Sequence, residues 1–199
     1  MFQRNFHQYI WDACRYVIAS FRVNLPKGLT KLKSSLIYGH FNNFSCSILD
    51  KITFDGAKII EEKLNCFSLP MPFDNPYEYW DEYKLKGKGL ISMKHTAIVC
   101  GIGALGKNTL LLNPKYGNEL TIGAILTDLD LKSDDLCENI CIKECYKCIE
   151  NCPVRAIQDG KVVQKLCRNN AYGKTKRGFD TVECNICRTV FPMRYGINK

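Results

Sequence analysis

The strongest constraint on this chain is the crowding of cysteines toward its C-terminal end. Eight of the twelve cysteines lie after residue 135. They are Cys137, Cys141, Cys145, Cys148, Cys152, Cys167, Cys184 and Cys187. Disulfide frameworks usually occur in short secreted chains. The apolar stretch at residues 16–21 does not have the pattern of a secretory signal, because it is short, is bounded by Arg15 and Arg22, and lacks a cleavage pattern. We therefore expect a reducing, cytoplasmic setting in which the thiols are kept for metal.

The spacing of these cysteines indicates iron–sulfur clusters. Cys141-x3-Cys145-x2-Cys148-x3-Cys152-Pro153 is one residue longer than the ferredoxin run C-x2-C-x2-C-x3-C-P, whose fourth cysteine binds the second cluster of the pair. The same logic predicts that Cys141, Cys145 and Cys148 hold one [4Fe-4S] cluster, cluster A. Cluster B then receives its ligands from Cys152, Cys167, Cys184 and Cys187.

Cluster A lacks its expected fourth thiolate. The residue before Pro192, where the second motif should supply that ligand, is Phe191, which cannot bind iron. Cys137 is the tentative replacement, since it has no other assigned role. The alternatives are a non-cysteine ligand to the fourth iron, loss of that iron, or a cluster that does not assemble, so the chain carries one or two clusters.

A zinc site is the main competing interpretation. Cys145-x2-Cys148 and Cys184-x2-Cys187 could together form a tetrahedral four-cysteine site, which would make the protein a zinc-stabilised RNA-binding module. Zinc would leave the other four cysteines after residue 135 unexplained, so we favour iron.

The positive charge of the chain is concentrated in the same region. The formal net charge is +8, and residues 136–199 hold twelve Lys and Arg against six Asp and Glu. These cations would offset the negative charge of thiolate-bound clusters. A basic face toward an acidic redox partner or toward RNA is the alternative. No apolar run approaches the roughly 18 residues that a membrane span requires, so we expect no membrane association.

A glycine-rich loop is the second motif that could bind a ligand. Gly101-x4-Gly106-Lys107 matches most of a phosphate-binding loop, and Gly103 adds part of a dinucleotide fingerprint. A phosphate loop needs Ser or Thr after the lysine, and this chain has Asn108. No strand–helix unit with a suitably placed acid supports the dinucleotide interpretation. The sequence therefore predicts either a turn or a loop beside some phosphate or cofactor.

Local patterns predict an ordered α/β arrangement before the cysteines. We expect strands at residues 16–23, 66–69, 108–112 and 120–127, and helices from Ser47 to about residue 65 and from Ser92 to residue 100. Three prolines between residues 70 and 76 predict an extended, aromatic-rich loop. Asp159-Gly160 predicts a hairpin. The polar run at residues 132–135 marks a domain boundary.

The order of these motifs resembles the epoxyqueuosine reductase-like iron–sulfur proteins, which are related to reductive dehalogenases. The resemblance rests on HTAIVCGIGALGKNTLLLNPKYGNELTIGAILTDLDL followed by CYKCIENCPVRAI, KLCRNNAYG and CNICRTVFP. It covers about 160 residues, and the chain is similar to the short members from anaerobes. It implies an α/β (α+β) fold, with a truncated nitroreductase-like sheet-and-helix domain at residues 1–133 and a two-cluster ferredoxin-like domain at residues 134–199.

The resemblance also implies a cofactor and a substrate. In epoxyqueuosine reductases the clusters pass electrons to cobalamin, which reduces the epoxide of a tRNA nucleoside. By analogy, the cofactor site would lie at or near Gly101, Gly103, Gly106, Lys107 and Asn108. The Asp-Tyr-His signature of these enzymes is not found here, so the catalytic residues stay unassigned. We therefore predict an iron–sulfur electron-transfer protein or oxidoreductase that works with a redox partner protein. A cobalamin-dependent reductase of a tRNA nucleoside or another electrophile is the alternative.

Overall fold

An antiparallel three-stranded sheet forms the centre of the protein. The computed structural model describes residues 11, 13–23, 26–31, 34–74, 76–158 and 160–197. Strands β1 (Tyr16–Val23), β2 (Ser68–Met71) and β7 (Leu120–Thr127) are arranged in the order β1-β7-β2. Seven of the eight residues of β7 are buried, as expected for a continuous apolar run that forms a central strand. The predictions for residues 16–23 and 120–127 are confirmed, and β2 lies two residues later than predicted.

A long helix covers the sheet. Helix α1 (Lys27–Lys31) is followed by α2 (Ser35–Leu64), which packs against β2 and β7 through buried residues such as Leu49 and Ala57. The predicted end of α2 is confirmed, because Asn65 closes the helix in the left-handed conformation with φ 49°. The predicted N-cap at Ser47 is wrong by thirteen residues. Ser34 is the N-cap, and the Ser47 hydroxyl instead donates to the carbonyl of Asn43 inside the helix.

The aromatic segment after the prolines is a hairpin. Strands β3 (Tyr77–Asp81) and β4 (Lys86–Gly89) pair antiparallel, so the predicted extended loop is wrong beyond Pro76. Proline prevents regular pairing where it stands, but the described chain resumes β structure immediately after it. Pro70 lies on β2, at the edge of the main sheet, where a missing amide donor is tolerated.

The glycine loop joins a short helix to a small ribbon. Helix α3 (Met93–Val99) begins after Ser92 and ends at Cys100, as predicted. Strands β5 (Ala104–Leu105) and β6 (Leu111–Leu112) pair antiparallel. The predicted strand at residues 108–112 is only partly correct, because Asn108 forms a side-chain turn with the amide of Leu110.

The cysteine-rich part consists of short elements. These are α4 (Lys147–Glu150), α5 (Gln164–Ala171), β8 (Tyr172–Lys174), β9 (Asp180–Val182) and α6 (Ile186–Thr189). The bridge between Ile157 and Val162 fits the predicted hairpin, although Asp159 lies outside the described residues. The mixed helices and separate antiparallel sheets confirm the α+β class. None of the helices in the described part of the chain has both the length and the apolarity to cross a membrane.

Candidate metal centre

The two cysteine motifs fold into the same local structure. In each motif a four-residue helix, α4 or α6, begins two residues after the first cysteine of the C-x2-C pair, which is Cys145 or Cys184. Each then turns at the residue before proline. The amide three residues later donates to the carbonyl of Cys152 in one motif and of Phe191 in the other, both at 3.1 Å. Helices α4 and α6 pack against each other. Phe191 therefore occupies the position in the second motif that Cys152 occupies in the first.

Three of the predicted cluster A ligands converge on one cavity. This cavity has an empty volume of about 300 Å³, counting space open to solvent. Its walls include Cys141, Cys145 and Cys148 from the cysteine loop, Gly106, Lys107 and Asn108 from the glycine loop, and Phe191 with Pro192. The sequence-predicted ligands and the predicted glycine loop thus meet at a single site.

The four predicted cluster B thiols form a second group of electrostatic neighbours. Burial raises the pKa of the Cys167 thiol, and Cys152 and Cys184 add to the shift. Burial also raises the pKa of Cys187 to about 11, with Arg188 opposing the shift and Cys167 and Cys184 adding to it. Because these thiols disfavour one another's ionisation, a bound cation would stabilise the thiolates and release protons.

The cluster A thiols interact in the same way. Burial raises the pKa of Cys148, and Cys141 and Cys145 contribute to this increase. Cys148 in turn adds to the shift of Cys187, so the two thiol groups lie near each other. The backbone amide of Ala156 donates to the Cys152 sulfur at 3.2 Å. Hydrogen bonds of this kind tune the sulfur ligands of iron–sulfur clusters.

No ready-made site for a single metal ion is found among the described side chains. In the described ranges, no three His, Cys, Asp or Glu side chains lie close enough to hold one metal ion. Zinc–sulfur bonds of about 2.3 Å in a tetrahedron place the sulfurs roughly 3.8 Å apart. A four-iron cluster binds each thiolate through a different iron and therefore needs wider spacing.

Cys137 does not join the other three thiols of cluster A. It is absent from the residues that line the cavity, and its thiol lies 3.6 Å from the carbonyl oxygen of Glu138. Burial raises the pKa of Cys137, and the Glu138 carboxylate adds to the shift. The geometry gives no support to its tentative assignment as the fourth ligand, which stays a prediction.

The remaining four cysteines lie elsewhere in the fold. Cys14 is buried in an apolar cluster with Met71, and the Cys100 thiol donates to the carbonyl of Val17. Cys46 donates to the carbonyl of Asn42 inside α2, and Cys66 lies beside β2.

The polar side chains of the glycine loop hold the cysteine motifs in place. The Lys107 ammonium donates to the carbonyls of Ile142 at 3.0 Å and Lys143 at 2.6 Å, and it lies 4.8 Å from the centre of the Tyr146 ring. The Asn108 amide donates to the carbonyl of Cys187 at 3.0 Å. The loop therefore contacts the first motif through Lys107 and the second through Asn108.

Two of the glycines are required by close backbone contacts rather than by a ligand. Gly101 has φ +69°, and a Cβ there would lie 2.2 Å from the carbonyl oxygen of Asp135. A Cβ on Gly103 would lie 2.4 Å from the carbonyl oxygen of Leu112. Of the five predicted cofactor residues, Gly106, Lys107 and Asn108 line the cavity, whereas these two glycines do not.

Sequence reasoning missed three residues beside the thiols. The Asn118 amide donates to the carbonyl of Arg188 at 2.9 Å, and the Arg188 guanidinium donates to the carbonyl of Asn118. Lys94 of α3 has Cys187 and Cys167 among its electrostatic neighbours. Desolvation lowers the pKa of Lys94, Arg188 adds to this effect, and the two thiols oppose it. No local pattern marks these residues, since their neighbours are distant in sequence.

The aromatic hairpin supports the helix that carries Cys167. Arg168 of α5 donates to the Tyr77 hydroxyl at 3.3 Å, and its guanidinium lies 5.1 Å from the centre of the Trp80 ring. Gln164 accepts a hydrogen bond from the amide of Gly87. The hairpin thereby fixes α5 through both polar and cation–π contacts.

The comparisons with known proteins agree with this architecture. No family model matches the chain. The epoxyqueuosine reductase of Lactococcus garvieae is 32% identical over 110 residues, which is 49% of this chain and 30% of that protein. The epoxyqueuosine reductase of Prochlorococcus marinus is 30% identical over 153 residues, which is 69% of this chain and 47% of that protein. The chain thus spans less than half the length of these curated relatives.

Solved structures of epoxyqueuosine reductases share the fold. The structure from Streptococcus thermophilus matches 96% of this chain and 52% of that chain, with a TM-score of 0.62 and 19% identity. Another, with an epoxyqueuosine-modified tRNA-Tyr stem loop, matches 94% of this chain and 50% of that chain, with a TM-score of 0.59 and 16% identity. In both sequence and fold, the chain is an epoxyqueuosine reductase-like protein.

Proposed function

We propose that this chain is an iron–sulfur oxidoreductase that passes single electrons through two clusters. The observation that carries the proposal is the separation of seven cysteines into two groups, one that lines the cavity and one whose thiols are electrostatic neighbours of each other. Cys141, Cys145 and Cys148 would hold cluster A. Cluster B would be bound by Cys152, Cys167, Cys184 and Cys187. Bound clusters of this type accept and release one electron at a time.

The surrounding residues fit this role. Lys107, Lys94 and Arg188 bring positive charge to the two thiol groups, and such charge stabilises thiolates. Asn108 and Asn118 fix the backbone of the second motif through its carbonyls. A site built on fixed backbone rearranges little between charge states, which favours rapid electron transfer. A separate redox protein would supply the electrons.

Metal analysis tests the proposal. Protein purified without oxygen and reconstituted should contain acid-labile sulfide, absorb near 400 nm, and give an EPR signal after reduction with dithionite. Cys184→Ser combined with Cys187→Ser should remove about half of the iron, because it leaves cluster B with only two thiolates. Cys46→Ser is the matched control and should retain all of it. Stoichiometric zinc without sulfide would contradict the proposal.

Reduction of a tRNA nucleoside is the second candidate function. It is favoured by the similarity to epoxyqueuosine reductases, one of which is solved with a modified tRNA stem loop. In that reaction a cobalamin would be needed beside the clusters, near Gly106, Lys107 and Asn108. A change in the cobalamin spectrum on adding reduced protein, together with conversion of epoxyqueuosine in a tRNA stem loop, would support it. The absence of cobalamin binding would leave electron transfer as the function.

A further inference from the structure

We infer that cluster A is held by only three protein thiolates, so that one of its irons is open to a small anionic ligand. The inference rests on the proposed function, and it concerns the fourth ligand position of cluster A. Its starting point is the repeat between the two cysteine motifs.

The repeat identifies which residue should have supplied the missing thiolate. In the first motif Cys152 comes one residue after the C-terminal end of α4, past Asn151, and precedes Pro153, and its thiol belongs to the cluster B group. Phe191 follows α6 in the same way, precedes Pro192, and forms the same turn. Phe191 lines the cavity together with Cys141, Cys145 and Cys148. By this symmetry, position 191 is where the crossing ligand of cluster A belongs.

No other side chain of the cavity takes its place. Asn108 uses both ends of its amide, donating to the Cys187 carbonyl and accepting from the Leu110 amide. Lys107 donates to two carbonyls. Lys147 also lines the cavity, but an ammonium has no lone pair for a metal. Cys137 is not part of the lining.

The lining also indicates the class of ligand. Two lysines, Lys107 and Lys147, border the cavity beside the apolar surface of Leu112 and Phe191. Positive charge next to an open iron favours an anionic donor, and the apolar wall favours a small organic one. We therefore expect a small thiolate or carboxylate, of which 2-mercaptoethanol and acetate are suitable probes.

An iron without a protein thiolate is easily lost on oxidation. With ferricyanide as the one-electron oxidant, [4Fe-4S]²⁺ gives [3Fe-4S]⁺ and Fe²⁺, and the electron reduces ferricyanide to ferrocyanide. Mild ferricyanide treatment of the reconstituted protein should therefore release about one iron per chain and produce the EPR signal of a three-iron cluster. Added Fe²⁺ with a reductant should reverse both changes.

Substitution at position 191 provides the decisive comparison. Phe191→Cys should retain about eight irons through the same oxidation and show no three-iron signal, because it restores the crossing ligand. Phe191→Leu, the matched apolar control, should behave like the unaltered protein. Cys137→Ser should also leave the iron content and the EPR signal unchanged. Either probe should alter the EPR spectrum of the reduced unaltered protein but not that of Phe191→Cys.

Several results would overturn the inference. Full retention of iron by the unaltered protein after oxidation would show that a fourth ligand exists, and this readout does not depend on any variant folding. Loss of iron in Cys137→Ser would identify that ligand as Cys137. An EPR spectrum insensitive to both probes would exclude an accessible iron. Absence of sulfide from every sample would instead contradict the proposed function itself.

Discussion

The ion pair between Glu119 and Arg194 should strongly stabilise the packing of the cysteine-rich tail against the sheet. The Arg194 guanidinium donates to the Glu119 carboxylate at 2.5 Å, and the two side chains are only 11% and 5% exposed. One further guanidinium nitrogen of Arg194 is buried without a hydrogen-bond partner in the described part of the protein. Removing the carboxylate would therefore leave a buried cation that water cannot readily solvate.

The cost of Glu119→Ala can be estimated from this burial. Breaking a buried ion pair by removing one partner typically costs about 3–5 kcal/mol. In a protein of this size, each kcal/mol lowers the melting temperature by roughly 2–4 °C. We expect Glu119→Ala to lower the apparent melting temperature by about 6–20 °C. Circular dichroism on anaerobic samples matched for iron content measures this change.

A double-mutant cycle separates the pair from other effects. Arg194→Met keeps much of the apolar stem but removes the charge, so the variant that combines it with Glu119→Ala should be more stable than Glu119→Ala alone. Lys51→Ala, which breaks an exposed pair with Asp55, should change the free energy of unfolding by no more than about 1 kcal/mol. A loss below about 2 °C for Glu119→Ala, or additive effects of the two changes, would refute the reasoning.

Three further predictions concern single residues. Burial, with Asp74 and Asp50 adding to it, raises the pKa of Cys46 to about 11, so at pH 8 roughly one thiol in a thousand is ionised. Its alkylation by iodoacetamide, followed by mass spectrometry, should accelerate about tenfold per pH unit between pH 8 and 10, and a flat profile would contradict the shift. Gly103→Ala would place a methyl 2.4 Å from a carbonyl oxygen of β6 and should lower the melting temperature by several degrees, whereas Gly28→Ala meets nothing within 4 Å and should not. Lys107→Met removes two hydrogen bonds to the cysteine-bearing loop and should shorten the time for which iron is retained against EDTA; unchanged retention would show that the loop needs no such support.

The central strand and the cysteine motifs could be predicted because their signals are local. An uninterrupted apolar run identifies β7, and the cysteine spacing predicts which thiols become neighbours in the structure. The start of α2 could not be predicted in the same way. Its first half contains Asn42, Asn43, Ser45 and Ser47, which favour helix ends, and the two serine hydroxyls instead bond to the carbonyls of the preceding turn.

The contacts between distant segments are the part of the site that sequence patterns did not reveal. Asn118 carried no sequence signal, yet it forms two hydrogen bonds with Arg188. Lys107 appeared as a candidate phosphate ligand, yet it binds the carbonyls of the cysteine loop. Such roles depend on which segments the fold brings together, and one sequence gives no direct signal of that.

The two hydrogen bonds between Asn118 and Arg188 affect whether the cysteine-rich part could be transferred to another protein. A fragment cut near residue 133 would leave the guanidinium and the backbone carbonyl of Arg188 without Asn118, which bonds to both. The second motif would then keep its packing against the first but lose these two hydrogen bonds to its backbone and side chain. A transplanted fragment should therefore include Asn118 together with the cysteine motifs.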